Sequence, residues 1–186
     1  VFEYYLMRDR EVVDIAFLYD MSGPISMYSS GFEASAEIAM DYMNSEQDEY
    51  WYNVVGFDTG CDGTVAAEAA QDAIDEGIEL VIGPLCSGAS MAANSVLSAA
   101  GVPHISPTSS APALSDSTTY PGFFRVIPSD GLNGIGIAQY MGEGGAGMSS
   151  PALVYVNDYG YLSGISGIFE DAWEEAGNDL CMDSDG

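Results

Sequence analysis

Hydrophobic and polar positions along the chain switch repeatedly between two periods. Residues 12–18 (Val-Val-Asp-Ile-Ala-Phe-Leu) form a nearly continuous apolar run that Met21-Ser22-Gly23-Pro24 breaks, and they read as a buried strand. Over residues 32–43, Phe32, Ala36, Ala39, Met40 and Met43 recur with the 3.6-residue spacing that predicts a helix with one apolar face. The alternation continues, with strands predicted at 52–57, 78–82, 102–105 and 152–156 and helices at 64–74, 90–100, 130–141 and 163–176. Thr64 is the expected N-cap of the second helix and Gly77 its stop, and Gly177 closes the last helix. Residues 144–150, rich in Gly and Ser, read as a flexible connector, and there is no internal repeat beyond the strand–helix unit.

Strands separated by helices of this length predict an α/β fold, a parallel sheet with helices on both faces. In such sheets ligands bind at the carboxyl ends of the strands. Three loops of small polar residues, 21–30, 86–90 and 108–111, follow strands and fall on that edge. The most informative segment is Val81-Ile82-Gly83-Pro84-Leu85-Cys86-Ser87-Gly88, an apolar run that breaks into small hydroxylated residues and continues as a helix. A helix start presents backbone N–H groups, here beside the Ser87 hydroxyl, and suits an anion such as the carboxylate of a small molecule. A second run from Gly101 ends in the hydroxyl-rich loop Pro107-Thr108-Ser109-Ser110. It lies beside the first if the two strands are neighbours.

Composition narrows the partners. At 186 residues and 47% hydrophobic content, the chain suffices for one domain or two small ones with a packed core. Its net charge is −26, and its only basic residues are Arg8, Arg10 and Arg125. So acidic a chain repels nucleic acid and anionic membrane surfaces and suits surroundings of high salt, with cation binding as the alternative use of the charge. No apolar run reaches 18 residues, so no transmembrane helix is expected. Residues 1–10 lack both an initiator Met and the basic-then-apolar order of a signal peptide; either a signal has been removed or the chain is a fragment.

Candidate reaction chemistry is sparse. Residues 83–88 have the strand–turn–helix setting of a nucleophile elbow without its G-x-S-x-G form, and His104 is the only available base. Its place after Pro103 in a strand-like run fits packing better. Asp183-Ser184-Asp185-Gly186 looks like part of a calcium loop, but Cys181 stands where the first Asp is required. No phosphate-binding G-x-x-x-x-G-K-[ST] occurs. No catalytic residue, metal site or cofactor is therefore expected, and Arg125 is expected to pair with a carboxylate such as Asp130.

Taken together, six motifs carry a resemblance: Met21-Ser22-Gly23-Pro24 with Tyr28; Phe57-Asp58 with Cys61-Asp62; residues 81–87; Ile105-Ser106-Pro107-Thr108 through Ala111-Pro112-Ala113-Leu114; Phe124-Arg125 with Ser129-Asp130; and Asn157-Asp158-Tyr159-Gly160. In this order and spacing they resemble the leucine/isoleucine/valine-binding family of type I periplasmic binding proteins, the soluble receptors of branched-chain amino-acid ABC transporters. The resemblance runs from residue 13 to residue 177. It implies the type I periplasmic-binding-protein fold, two α/β lobes joined by a hinge. The first lobe would span 13–119, the hinge crossing and connecting helix 120–150, and the start of a truncated second lobe 151–186.

By the same resemblance, Ser87 holds the ligand α-carboxylate through its hydroxyl and N–H. Ser110 contacts the α-carboxylate or α-ammonium, and the Thr108 carbonyl accepts from the ammonium. Tyr28 lines the side-chain pocket, and Tyr159 closes over the ligand. Without the family pattern, Ser87 and Ser110 read equally as helix caps, and Tyr28 and Tyr159 as half-buried structural tyrosines. Cys61 and Cys86 match a disulfide of some family members, both at carboxyl ends of strands that can be neighbours, which implies an oxidising compartment. Cys181 is left over. The resemblance implies a monomeric, non-enzymatic, exported protein of the periplasm or cell exterior. It would capture an amino acid, branched-chain or similar, and hand it to an ABC-transporter permease. The alternative is a ligand-sensing domain of a receptor or regulator with the same fold.

Overall fold

The computed structural model describes residues 10–142, 145–155 and 160–181, with side chains throughout except at 160–163. The first apolar run is β1 (Glu11–Tyr19), followed by α1 (Ser29–Glu46), β2 (Tyr50–Asp58), α2 (Gly63–Asp75), β3 (Val81–Ile82), α3 (Ser87–Ala99), β4 (His104–Ser106), β5 (Phe123–Arg125), α4 (Gly131–Met141) and α5 (Gly160–Glu175). The chain divides into two compact units. Unit 1 is Val1–Ser109 with Ser117–Val126; unit 2 is Ser110–Asp116 with Ile127–Gly186.

Unit 1 is a five-stranded sheet in the order β2-β1-β3-β4-β5, with every neighbouring pair parallel. Side chains alternate across a strand, so β1 serves two cores at once. Ala16 and Leu18 pack with Ala66, Ala70 and Ala73 of α2 and with Ala89, Ala93 and Leu97 of α3. Phe17 and Tyr19 face the other way, with Phe32 and Ala36 of α1. The expected parallel sheet with helices on both faces is thus present, and β3 and β4 are the expected neighbours.

Three expectations from the pattern need correction. The N-cap of α2 is Asp62, not Thr64, because the Asp62 carboxylate already accepts from the N–H groups of Thr64 (2.7 Å) and Val65 (3.1 Å). The strands preceding Cys61 and Cys86 are not neighbours: β1 lies between β2 and β3. Finally, residues 152–155 form no strand. An apolar run becomes a strand only beside another strand, and here Val154 stands 92% exposed. Strand β5 has no counterpart in the pattern, because a three-residue strand is too short to show a period.

In unit 2, α4 and α5 pack around Ala138, Phe169 and Trp173. Trp173 is fully buried, its ring stacks on Phe169 (5.9 Å between centroids), and its indole N–H donates to Asp179 O (3.0 Å). Among the described residues no helix is long and apolar enough to cross a membrane.

Candidate functional site

The loops at the carboxyl edge of the unit 1 sheet are built by backbone groups that the strands leave unpaired. After β1, the fully buried Asp20 carboxylate accepts from Gly23 N (2.6 Å) and Ile25 N (2.7 Å), and Ser29 Oγ donates to Asp20 O (2.5 Å). These bonds set the short 3₁₀ turn Ser26–Tyr28, which leaves the Tyr28 ring 57% exposed. After β2, the Asp58 carboxylate accepts from Met21 N (2.8 Å), Ser22 Oγ (2.6 Å) and Gly60 N (2.9 Å), joining this loop to the first. Partial burial pushes the Asp58 carboxyl up, but the hydrogen bonds from Ser22, Gly60 and Met21 outweigh it and hold it below the ordinary carboxylate value. The two loops approach so closely that a Cβ on Gly23 would collide with the Gly60 carbonyl.

The turn from β3 into α3 passes through Gly83, whose φ of +99° and contact with the Leu18 carbonyl admit no side chain. Cys86 is the N-cap of α3 and Ser87 its first residue, largely buried. Cys86 is bonded to Cys61, with Cα atoms 5.4 Å apart, so the disulfide spans the position of β1 and ties the β2 loop to the start of α3. The first-turn N–H groups of a helix have no acceptor within it, so the start of α3 is suited to an anion.

After β4 the chain turns back against this start. Thr108 Oγ1 donates to Leu85 O (2.6 Å), and Ser106 Oγ donates to Pro84 O (2.6 Å). The buried Ser90 and Ser109 hydroxyls lie 2.8 Å apart beside the same carbonyls. In unit 2, Ser110 Oγ donates to Asp130 Oδ2 (2.6 Å), and Ser110 O accepts from Asp130 N (3.0 Å).

Tyr28, Ser87 and Thr108 are thus all placed on the carboxyl-edge loops of unit 1, and the Thr108 hydroxyl contacts the turn that carries Ser87. Ser110 belongs to unit 2. Tyr159 and the tail 183–186 lie outside the described residues. Asp58 and Ser106 stand in motifs quoted from the sequence but were given no role there, and Asp20, Ser90 and Ser109 were given none either. The signal available for them was the density of Asp and Ser just past strand ends.

His104 is a packing residue. It is 1% exposed, its Nδ1 lies 2.8 Å from Gly83 O, and its Nε2 lies 3.2 Å from Asn94 Nδ2. The Gly83 carbonyl can only accept and the Asn94 amide donates, so the ring is neutral with its proton on Nδ1. Burial pulls its pKa below the ordinary value, outweighing the bond to Gly83. With Cys86 in a disulfide and His104 engaged at both nitrogens, the nucleophile-elbow reading of residues 83–88 has no base to draw on. No cluster of His, Cys, Asp and Glu suited to a metal occurs among the described residues.

A family model described as periplasmic binding protein matches residues 12–184. The leucine-, isoleucine-, valine-, threonine- and alanine-binding protein of Pseudomonas aeruginosa is 26% identical over 135 residues, which are 72% of this chain and 36% of that protein. The solved leucine binding protein of Thermotoga maritima superposes with a TM-score of 0.77 at 26% identity, covering 90% of this chain and 47% of that one. The branched-chain amino acid transporter substrate binding protein of Streptococcus pneumoniae, solved with isoleucine, has the same TM-score at 25% identity and coverages of 91% and 48%. The chain therefore spans about half the length of the solved proteins it matches and about a third of the curated relative.

Proposed function

Because this chain belongs to the periplasmic binding protein family, we propose that it carries one wall of an amino-acid site in an exported solute-binding protein that serves ABC-transporter uptake. The observation that carries this reading is the start of α3. Ser87 opens a helix directly after a disulfide-anchored N-cap, and Thr108 is tied to the same turn. A zwitterion needs N–H and O–H donors at one end and lone-pair acceptors at the other, held close together. In this reading the α3 start and Ser87 take the carboxylate, and the Thr108 carbonyl takes the ammonium. Ser110 Oγ already donates its hydrogen bond to Asp130, so it has lone pairs to offer and suits the ammonium rather than the carboxylate. Tyr28 and Tyr159 complete the set as pocket wall and closing ring. The relatives' branched-chain ligands make leucine, isoleucine and valine the first to test. The two compact units correspond in this reading to a first lobe and part of a second. The disulfide and the family together favour an oxidising, extracytoplasmic location, with the protein acting as a monomer.

Calorimetric titration of the full-length protein with an amino-acid panel tests the proposal. Ser87→Ala removes a charge-assisted hydrogen bond and is expected to cost about 1.5–3 kcal/mol, roughly tenfold or more in Kd. Thr108→Ala is expected to cost less, since the proposed contact there is the backbone carbonyl. A Ser87→Ala protein that binds as tightly as its parent places the carboxylate elsewhere.

A further inference from the structure

Immediately behind the start of α3, four hydroxyls converge on two consecutive carbonyls. Pro84 O accepts from Ser106 Oγ (2.6 Å), Ser90 Oγ (3.0 Å) or Ser109 Oγ (3.2 Å), and Leu85 O accepts from Thr108 Oγ1 (2.6 Å) and Ser109 Oγ (3.2 Å). Two carbonyl oxygens offer about four lone pairs, and four hydroxyls supply as many protons, so the cluster is satisfied without a further donor. Ser90, Ser106 and Ser109 are each 0% exposed, so water does not stand in for a missing member. Thr108 stands at the exposed rim of the cluster, and the three serines behind it, screened from water, fix geometry more tightly than their separate bonds would.

Ser106 differs from the other three, because it alone of the four also accepts from backbone N–H groups. It donates across to the β3–α3 turn, and it accepts from Thr108 N (3.3 Å) and Ser109 N (2.9 Å) within its own turn. Ser90 and Ser109, by contrast, back each other up: each reaches Pro84 O, and their oxygens are 2.8 Å apart. Removing Ser106 therefore takes the shortest of three donors from Pro84 O and leaves two N–H groups without their acceptor, while removing Ser109 leaves Ser90 on Pro84 O and Thr108 on Leu85 O.

We infer that Ser106 is a positioning residue for the proposed amino-acid site. It holds the Ser87 turn and the Thr108 turn at one separation, so that a ligand bearing both an α-carboxylate and an α-ammonium is matched at both ends. This rests on the site reading given above. A ligand with only the carboxylate engages one turn and does not sense their separation. Ser106 thereby contributes to selectivity for the zwitterion without touching it.

The test uses Ser106→Ala and Ser109→Ala in the full-length protein with two ligands, leucine and its des-amino analogue 4-methylpentanoate, alongside amide hydrogen exchange of residues 84–90 and 106–110. Ser106→Ala is expected to speed exchange in both turns and to weaken leucine about tenfold, with less than about twofold change for 4-methylpentanoate. Ser109→Ala is expected to act in the same direction and less. Equal weakening of both ligands, or unchanged exchange, overturns the inference, since a purely structural role does not alter the ratio of the two affinities. Should Ser106→Ala fail to fold, the same ratio in Ser109→Ala decides. If the parent binds neither ligand, the site reading fails, and exchange in the two turns alone decides whether Ser106 positions them.

Discussion

The two units use apolar and polar groups in different proportions. In unit 1 the sheet is covered on both faces, and once burial has fixed the strands, buried Asp and Ser side chains shape the loops at one edge. In unit 2, among the described residues, two helices share a small core centred on Trp173, while Leu132 and Tyr140 are each 71% exposed. Precise loop geometry requires a scaffold with a core of its own, and unit 1 supplies one on each face of its sheet. Unit 2 builds its core around one large buried side chain, Trp173.

The sharpest way to break that contrast is Trp173→Ala. Loss of a fully buried Trp with its stacking partner and its hydrogen bond to Asp179 is expected to cost about 3–5 kcal/mol. The chain has only two tryptophans, Trp51 in unit 1 and Trp173 in unit 2, so each unit has its own fluorescent reporter. Denaturant unfolding of the variant followed through Trp51 is expected to keep the parent midpoint; a large fall in that midpoint shows that the units unfold as one.

Cys61→Ala/Cys86→Ala removes a cross-link that closes a sequence separation of 25 residues and is expected to cost unit 1 about 3 kcal/mol. Thermal unfolding under oxidising and reducing conditions measures it: the parent loses the increment on reduction and the double variant does not.

Acid separates the units without mutation. His104 is the only histidine and lies in unit 1, with its pKa lowered by burial from 6.5. The unfolded chain then binds a proton that the folded one refuses. Stability is fully present above about pH 6.5 and falls as pH drops below it, with a second loss below the ordinary carboxylate range as Asp58 is protonated. The Trp51 transition is expected to show the first step and the Trp173 transition to lack it; a step of the same size in both refutes the assignment to His104.

The smallest effect is a gain. Thr59 Oγ1 is buried with no hydrogen-bond partner among the described residues. Thr59→Val replaces it with a methyl of similar size and is expected to add about 1 kcal/mol to unit 1, read as a rise in Tm. A fall in Tm means that the hydroxyl is satisfied in solution.

The alternation of periods was enough to place β1, α1, β2, α2 and α3 within a few residues, because each buries a stripe long enough to repeat. It failed where structure depends on a neighbour. The strand expected at 152–156 meets no adjacent strand in 152–155, and the order β2-β1-β3, which separates the two cysteine loops, is a property of the sheet and not of any segment. The site was legible as an edge and a set of loops. It was not legible as a network, because a serine that bridges two turns and one that caps a helix look identical in sequence. Ser106 and Ser109 read as more of the same small polar run as Thr108 and Ser110.

The cross-tie behind α3 is made wholly of hydroxyls and carbonyls, on a chain that carries 29 carboxylates against three basic residues. Its bonds join neutral dipoles at contact distance, so neither counterions nor protons at moderate pH compete for them. Ionic strength will alter how strongly the acidic exterior repels itself and how fast charged solutes arrive. The spacing of the two turns is therefore expected to hold from fresh water to brine.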